Sequence, residues 1–175
     1  MLFAKGSALF PIITPDDRYV VFISSRPGLQ TPWIVPMEGG EAQEIVHVFA
    51  AIASMDVSRD GRRVLFQTSD AQNQNKHLVC DLPNCANRVS LDLPANAGFG
   101  ARRFTADGGA IAYLDSSGRN IWAQPLAGGP PRQITRFDDR SRYIANFAWS
   151  RDTKRLAIVW ATTTNDIVLL KSSNK

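Results

Sequence analysis

Thr105-Ala106-Asp107-Gly108-Gly109, followed by Ala110-Ile111-Ala112-Tyr113-Leu114, decides the fold of this chain. Asp and Gly after a hydroxyl residue make a tight turn, and the apolar run behind it reads as a buried strand. The same unit opens at Thr14-Pro15-Asp16-Asp17, Ser58-Arg59-Asp60-Gly61 and Ser150-Arg151-Asp152-Thr153. The four starts, at 14, 58, 105 and 150, are 44, 47 and 45 residues apart. A period of that size, built of short strands, points to the four-stranded antiparallel blades of a β-propeller.

Each unit can be followed strand by strand. Ile13, Val57, Phe104 and Trp149 close a first strand just before the turn. The second strands are Tyr19 to Ile23, Val64 to Phe66, Ala110 to Leu114 and Leu156 to Trp160. These runs are apolar on both faces, as expected for a strand sandwiched between neighbouring blades. Third strands follow at Trp33-Ile34-Val35, Leu78-Val79-Cys80, Ile121-Trp122-Ala123 and Ile167-Val168-Leu169. Hairpins at Glu38-Gly39-Gly40 and Ala127-Gly128-Gly129 use paired glycines, which reach positive φ without strain. In the second unit Asn84 stands in the first glycine's place and is expected to take its conformation. Fourth strands are Ala42 to Ile45, Asn87 to Val89 and Arg132 to Thr135.

The reading is a single propeller domain over 1–175, with repeats at about 8–46, 53–90, 101–135 and 145–171. The fourth unit stops after its third strand, and Met1 to Ala4 are the candidate to complete it, since an unpaired edge is a liability. Three closures stay open: a four-blade ring, part of a larger ring, or a homodimer through open blade edges.

Composition agrees. Of 175 residues, 44% are hydrophobic and 21% charged, which suits a globular chain with a substantial core. Fifteen arginines and five lysines give a net charge of only +4, spread along the chain, so no nucleic-acid partner is expected. No run is long enough for a membrane-spanning helix, and no membrane contact by this segment is expected. The first seven residues are too short and weakly apolar for a secretory signal.

A turn S/T-x-D-G, a strand, then I-W-x-x-x-L-x-G-G-x-x-R-x-(I/L)-T resembles the TolB-like, WD-type propeller repeats of bacteria. The third unit carries it most fully, in "TADGGAIAYLDSSGRNIWAQPLAGGPPRQIT". The fourth, "FAWSRDTKRLAIVWATTTNDIVLL", resembles the C-terminal end of propellers joined to bacterial serine/threonine protein kinases. Such propellers also follow winged-helix regulators. The resemblance implies a sensor or scaffold in a signalling protein, with a protein or peptide partner. The chain itself has no kinase signature: no Gly-rich nucleotide loop, no His-Arg-Asp and no Asp-Phe-Gly.

Chemistry is sparse, and neither a catalytic site, a cofactor nor a metal is expected. Cys80 and Cys85 flank the second unit's hairpin and are placed to form a disulfide. A disulfide suits a periplasmic or other extracytoplasmic setting, against the cytoplasmic alternative with two reduced thiols. His77 and Cys80, three apart on a strand, face opposite ways and do not suit zinc. There is no G-x-S-x-G elbow, and His47 and His77 fall in different hairpins, which speaks against a hydrolase site. The alternative is a propeller that gates a separate peptidase domain, or one that binds a small molecule or carbohydrate. Asp16, Asp60, Asp107 and Asp152 are assigned to turn geometry. The candidate partner surface is Arg102 and Arg103, together with the connection carrying Arg136, Arg140, Arg142 and Tyr143.

Overall fold

The computed structural model describes residues 7–26, 29–47, 52–69, 75–98, 100–150 and 152–163. Three antiparallel four-stranded meanders follow one another. The first holds β1 (Ser7–Ile13), β2 (Tyr19–Arg26), β3 (Leu29–Pro36) and β4 (Gln43–Glu44). The second holds β5 (Ile52–Val57), β6 (Arg63–Ser69), β7 (Asn75–Asp81) and β8 (Ala86–Leu91). The third holds β9 (Arg103–Phe104), β10 (Ala110–Leu114), β11 (Ile121–Pro125) and β12 (Arg132–Gln133). A fourth sheet pairs β13 (Tyr143–Trp149) with β14 (Leu156–Ala161). The expected third strand of the fourth unit and the closing segment Met1 to Ala4 lie outside the described residues. The sheets are propeller blades, and they do not close into a ring among the described residues.

The four turns are one construction repeated. In each, the hydroxyl of Thr14, Ser58, Thr105 or Ser150 donates to the Asp two residues on, at 2.6, 2.7, 2.6 and 2.5 Å. The same hydroxyl accepts the N–H five residues on, from Tyr19, Arg63, Ala110 and Arg155. The fourth turn residue has positive φ in every copy: Asp17, Gly61, Gly108 and Thr153 at 57, 70, 68 and 63°. At Gly61 a second demand applies, because a Cβ there would sit 2.7 Å from the Asp16 carboxyl carbon of the preceding blade.

Side chains of the second strands alternate between neighbours, as the strand period requires. Six and eight residues after the turn start, they face the preceding blade. Val64 and Phe66 pack against blade one, Ile111 against blade two, and Leu156 and Ile158 against blade three. Seven and nine residues after it, they face the following blade: Val21 and Ile23, Leu65, then Ala112 and Leu114. An apolar cluster therefore lies in each of the three joints. The fourth second strand departs from the expected two-sided burial. Its Ala157 and Val159 are exposed, Val159 by 56%, because no following blade covers them among the described residues.

The glycine hairpins adopt positive φ as expected, at Gly39, Gly40, Gly128 and Gly129. The second unit corrects the expectation for Asn84. The residue with positive φ there is Cys85, at 54°, which takes the second glycine's place and is tied to Cys80.

Candidate functional site

The first strand of every unit runs along one side of a common channel. β5 lies beside both β1 and β9. Three of the four first strands carry a bulge a few residues ahead of the turn: between Leu9 and Ile12, between Ile52 and Ser54, and between Ile144 and Asn146. In the third unit Gly100, at φ 124°, occupies the corresponding stretch. Bulges re-aim side chains, and here they turn a wall into a cavity.

That cavity has a volume of about 570 Å³. Phe10, Ser54, Ala101 and Asn146, each four residues before its turn, all line it. Met55, Gln67, Gly100 and Arg103 complete much of the wall. A second cavity of about 190 Å³ lies towards the turns, among Pro15, Asp56, Arg59, Phe104, Ala106 and Trp149. Arg103 lines both and marks the waist between them.

Asp56 sets the chemistry of the waist. One of its carboxylate oxygens accepts the Phe104 N–H of the next blade at 2.8 Å, and the other lies 3.8 Å from Arg103 Nη1. Burial pushes its pKa up from 3.8 to about 6, against the Phe104 hydrogen bond and the Arg103 charge that favour the ion. Ser54 donates to Gln67 Oε1 at 3.1 Å, and Asn146 Oδ1 accepts the Phe147 N–H at 2.8 Å. The channel thus offers an acidic group, a cation, amides and a hydroxyl beside the exposed Phe10 ring. Such a lining suits an extended peptide, which presents backbone donors and acceptors between side chains.

The sequence-derived candidates separate in space. Arg103 is in the channel, partly exposed. Arg102 is not a surface residue: it is 3% exposed, because strand alternation sends it into the joint with blade two. Its guanidinium donates to the carbonyls of Gly98, Gly100 and Ala101. Arg136, Arg140, Arg142 and Tyr143 are exposed on the connection into β13, and none of them lines either cavity. Arg142 pairs with Asp139 at 3.3 Å, and Phe137 anchors the connection by packing edge-on to Trp160 at 4.8 Å. Cys80 and Cys85 are joined, with sulfurs 2.05 Å apart and Cα atoms 4.8 Å apart. His47 meets Glu44 at 2.8 Å, while His77 is buried. Among the described residues, no group of three or more His, Cys, Asp or Glu side chains is placed to hold a metal.

Asp56, Ser54, Asn146 and Phe10 were not singled out by the sequence. The available signal was an acid one residue from the end of a mostly apolar first strand, and a position that differs in every unit.

No family model matches the chain, and no curated protein matches it. Solved structures do. TolB from Acinetobacter baumannii is 20% identical, with a TM-score of 0.72 over 91% of this chain and 39% of that one. A nidogen/laminin complex contains a chain that is 13% identical, with a TM-score of 0.64 over 93% of this chain and 60% of that one. A prolyl endopeptidase is 16% identical, with a TM-score of 0.66 over 92% of this chain and 27% of its own. The likeness is one of fold: this is a β-propeller similar to TolB and to the other two. The chain spans well under two thirds of the TolB structure's length.

Proposed function

We propose that this chain is a non-catalytic propeller module that binds a protein or peptide segment in its channel. The observation that carries this reading is the convergence of four unlike residues, Phe10, Ser54, Ala101 and Asn146, on one cavity above the Asp56–Arg103 pair. A scaffold that repeats its turns faithfully and varies its channel positions is built to present a specific surface. The resemblance to kinase-linked propellers favours a sensor or scaffold part of a bacterial signalling protein. The Cys80–Cys85 bridge favours an oxidising compartment outside the cytoplasm.

Peptides selected from a displayed random library against the purified chain test this. Binding should be lost when Asn146→Trp fills the channel, and kept when Arg140 and Arg142 on the rim become Ala. Selected peptides that ignore the channel change but need the rim arginines would overturn the placement. Turnover of a substrate, abolished by one point substitution, would overturn the non-catalytic reading. The fold's likeness to a prolyl endopeptidase supports a second reading, a propeller that gates a peptidase domain. A nucleophile elbow encoded next to this segment in the native gene would favour it.

A further inference from the structure

The joint between the second and third blades is built differently from the other two. Three residues before the turn, the side chain facing the preceding blade is Met55 in the second unit and Phe147 in the fourth, but Arg102 in the third. Eight residues after the turn start, Phe66 and Ile158 give way to Tyr113. Nine residues after it, facing forward, Ile23 and Leu114 give way to Gln67 in the second unit. The cross-strand partners of those three are Pro32, Ile121 and His77. Four equivalent positions are thus polar in this joint alone, and Gln67, His77, Arg102 and Tyr113 are all at most 4% exposed.

Their polar atoms are not mutually satisfied. Arg102 Nε and the Tyr113 hydroxyl have no hydrogen-bond partner among the described residues, while the His77 ring meets only the backbone of Leu91 on the neighbouring strand. Arg102 feels Tyr113 and acts on His77, but it makes no ion pair with any described carboxylate. Asp92 and Asp115 act on His77 and Tyr113 respectively, not on the guanidinium. A guanidinium keeps its proton, so this is a permanent buried cation with no counter-charge among the described residues.

We propose that the joint between the second and third blades binds a small anion, a halide or a carboxylate, held by Arg102 Nε–H and the Tyr113 hydroxyl beside His77. An anion supplies the missing charge and accepts both unused donors. It also raises the proton affinity of His77, so binding tightens on acidification.

Thermal melts of the whole chain at constant ionic strength test this, exchanging a bulky sulfonate for chloride in one series and for acetate in another. The expected result is a saturable rise in Tm with one of the two, larger at pH 5 than at pH 8. Arg102→Met, which installs the second unit's residue, should abolish the response. Tyr113→Phe, which installs Phe66's side chain, should weaken the apparent affinity roughly tenfold or more. Should Arg102→Met not fold, the Tyr113→Phe titration decides alone. No saturable response, or an unchanged one in either variant, overturns the proposal.

Discussion

At the scale of single residues, most of what the repeats share is backbone chemistry. Thr153 occupies the position where Gly61 and Gly108 sit, at φ 63°. A β-branched side chain in that region is strained, whereas glycine enters it freely. Thr153→Gly should therefore stabilise the chain by about 0.5–1 kcal/mol in chemical denaturation. An unchanged or lower midpoint would show that the turn tolerates the strain. Titration gives a second prediction. Asp56 has a folded pKa of about 6 against an ordinary 3.8, so it holds its proton more tightly when folded. Its contribution makes stability fall as pH rises from about 4 to about 6. Burial lowers the His77 pKa from 6.5 to about 4, helped by the Arg102 charge, so its contribution makes stability rise over about 4 to 6.5. The two slopes oppose each other across nearly the same window. Asp56→Asn should expose the His77 slope, and His77→Gln the Asp56 slope, each at most about 1.4 kcal/mol per pH unit. Urea melts at pH 4.5 and 6.5, in buffer free of chloride and carboxylates, read both signs. Two variants with the same sign would contradict the assignment. The turn aspartates were legible in the sequence because their partners lie within five residues. Asp56 was not, because the amide that fixes it belongs to Phe104, 48 residues away.

At the scale of elements, the Cys80–Cys85 hairpin and the bulged first strands are where the units diverge. The disulfide replaces a glycine turn, and it closes so short a loop that it should contribute only about 2 kcal/mol. Intact mass without reductant should lie two hydrogens below the reduced mass. Cys80→Ser with Cys85→Ser should lower stability by about that amount, and the full reduced mass in untreated protein would remove the bridge. The hairpin was readable from spacing alone, since both cysteines belong to one local turn. The channel was readable only in part. Arg102 and Arg103 stood out as a pair on a first strand, yet adjacent residues on a strand face opposite ways. One of the two had to leave the channel, and the three-dimensional packing of blade two decides that it is Arg102. The bulges left no mark in the sequence, because an extra residue in a strand changes pairing register without needing a special residue type.

At the scale of the whole molecule, the blades obey one stacking rule, and the fourth blade shows where that rule is left unfinished. Ile23, Leu114 and Val159 are equivalent, nine residues after their turn starts. Ile23 is 1% exposed and Leu114 2%, each covered by the following blade, while Val159 is 56% exposed. The period announced the blades, but the fourth is as apolar on both faces as the others, so its sequence carries no sign that the described residues leave one face exposed. Truncation separates these positions energetically. Ile23→Ala and Leu114→Ala remove buried methyl groups and should each cost about 2–4 kcal/mol. Val159→Ala removes exposed ones and should stay within about 0.5 kcal/mol. A Val159→Ala cost equal to the other two would mean that the face is covered in solution. Light scattering of the same sample then assigns the cover. A mass that doubles, and returns to one chain in Val159→Glu, identifies a second copy continuing the stack through the face that blades one to three bury. A single-chain mass assigns the cover to this chain itself.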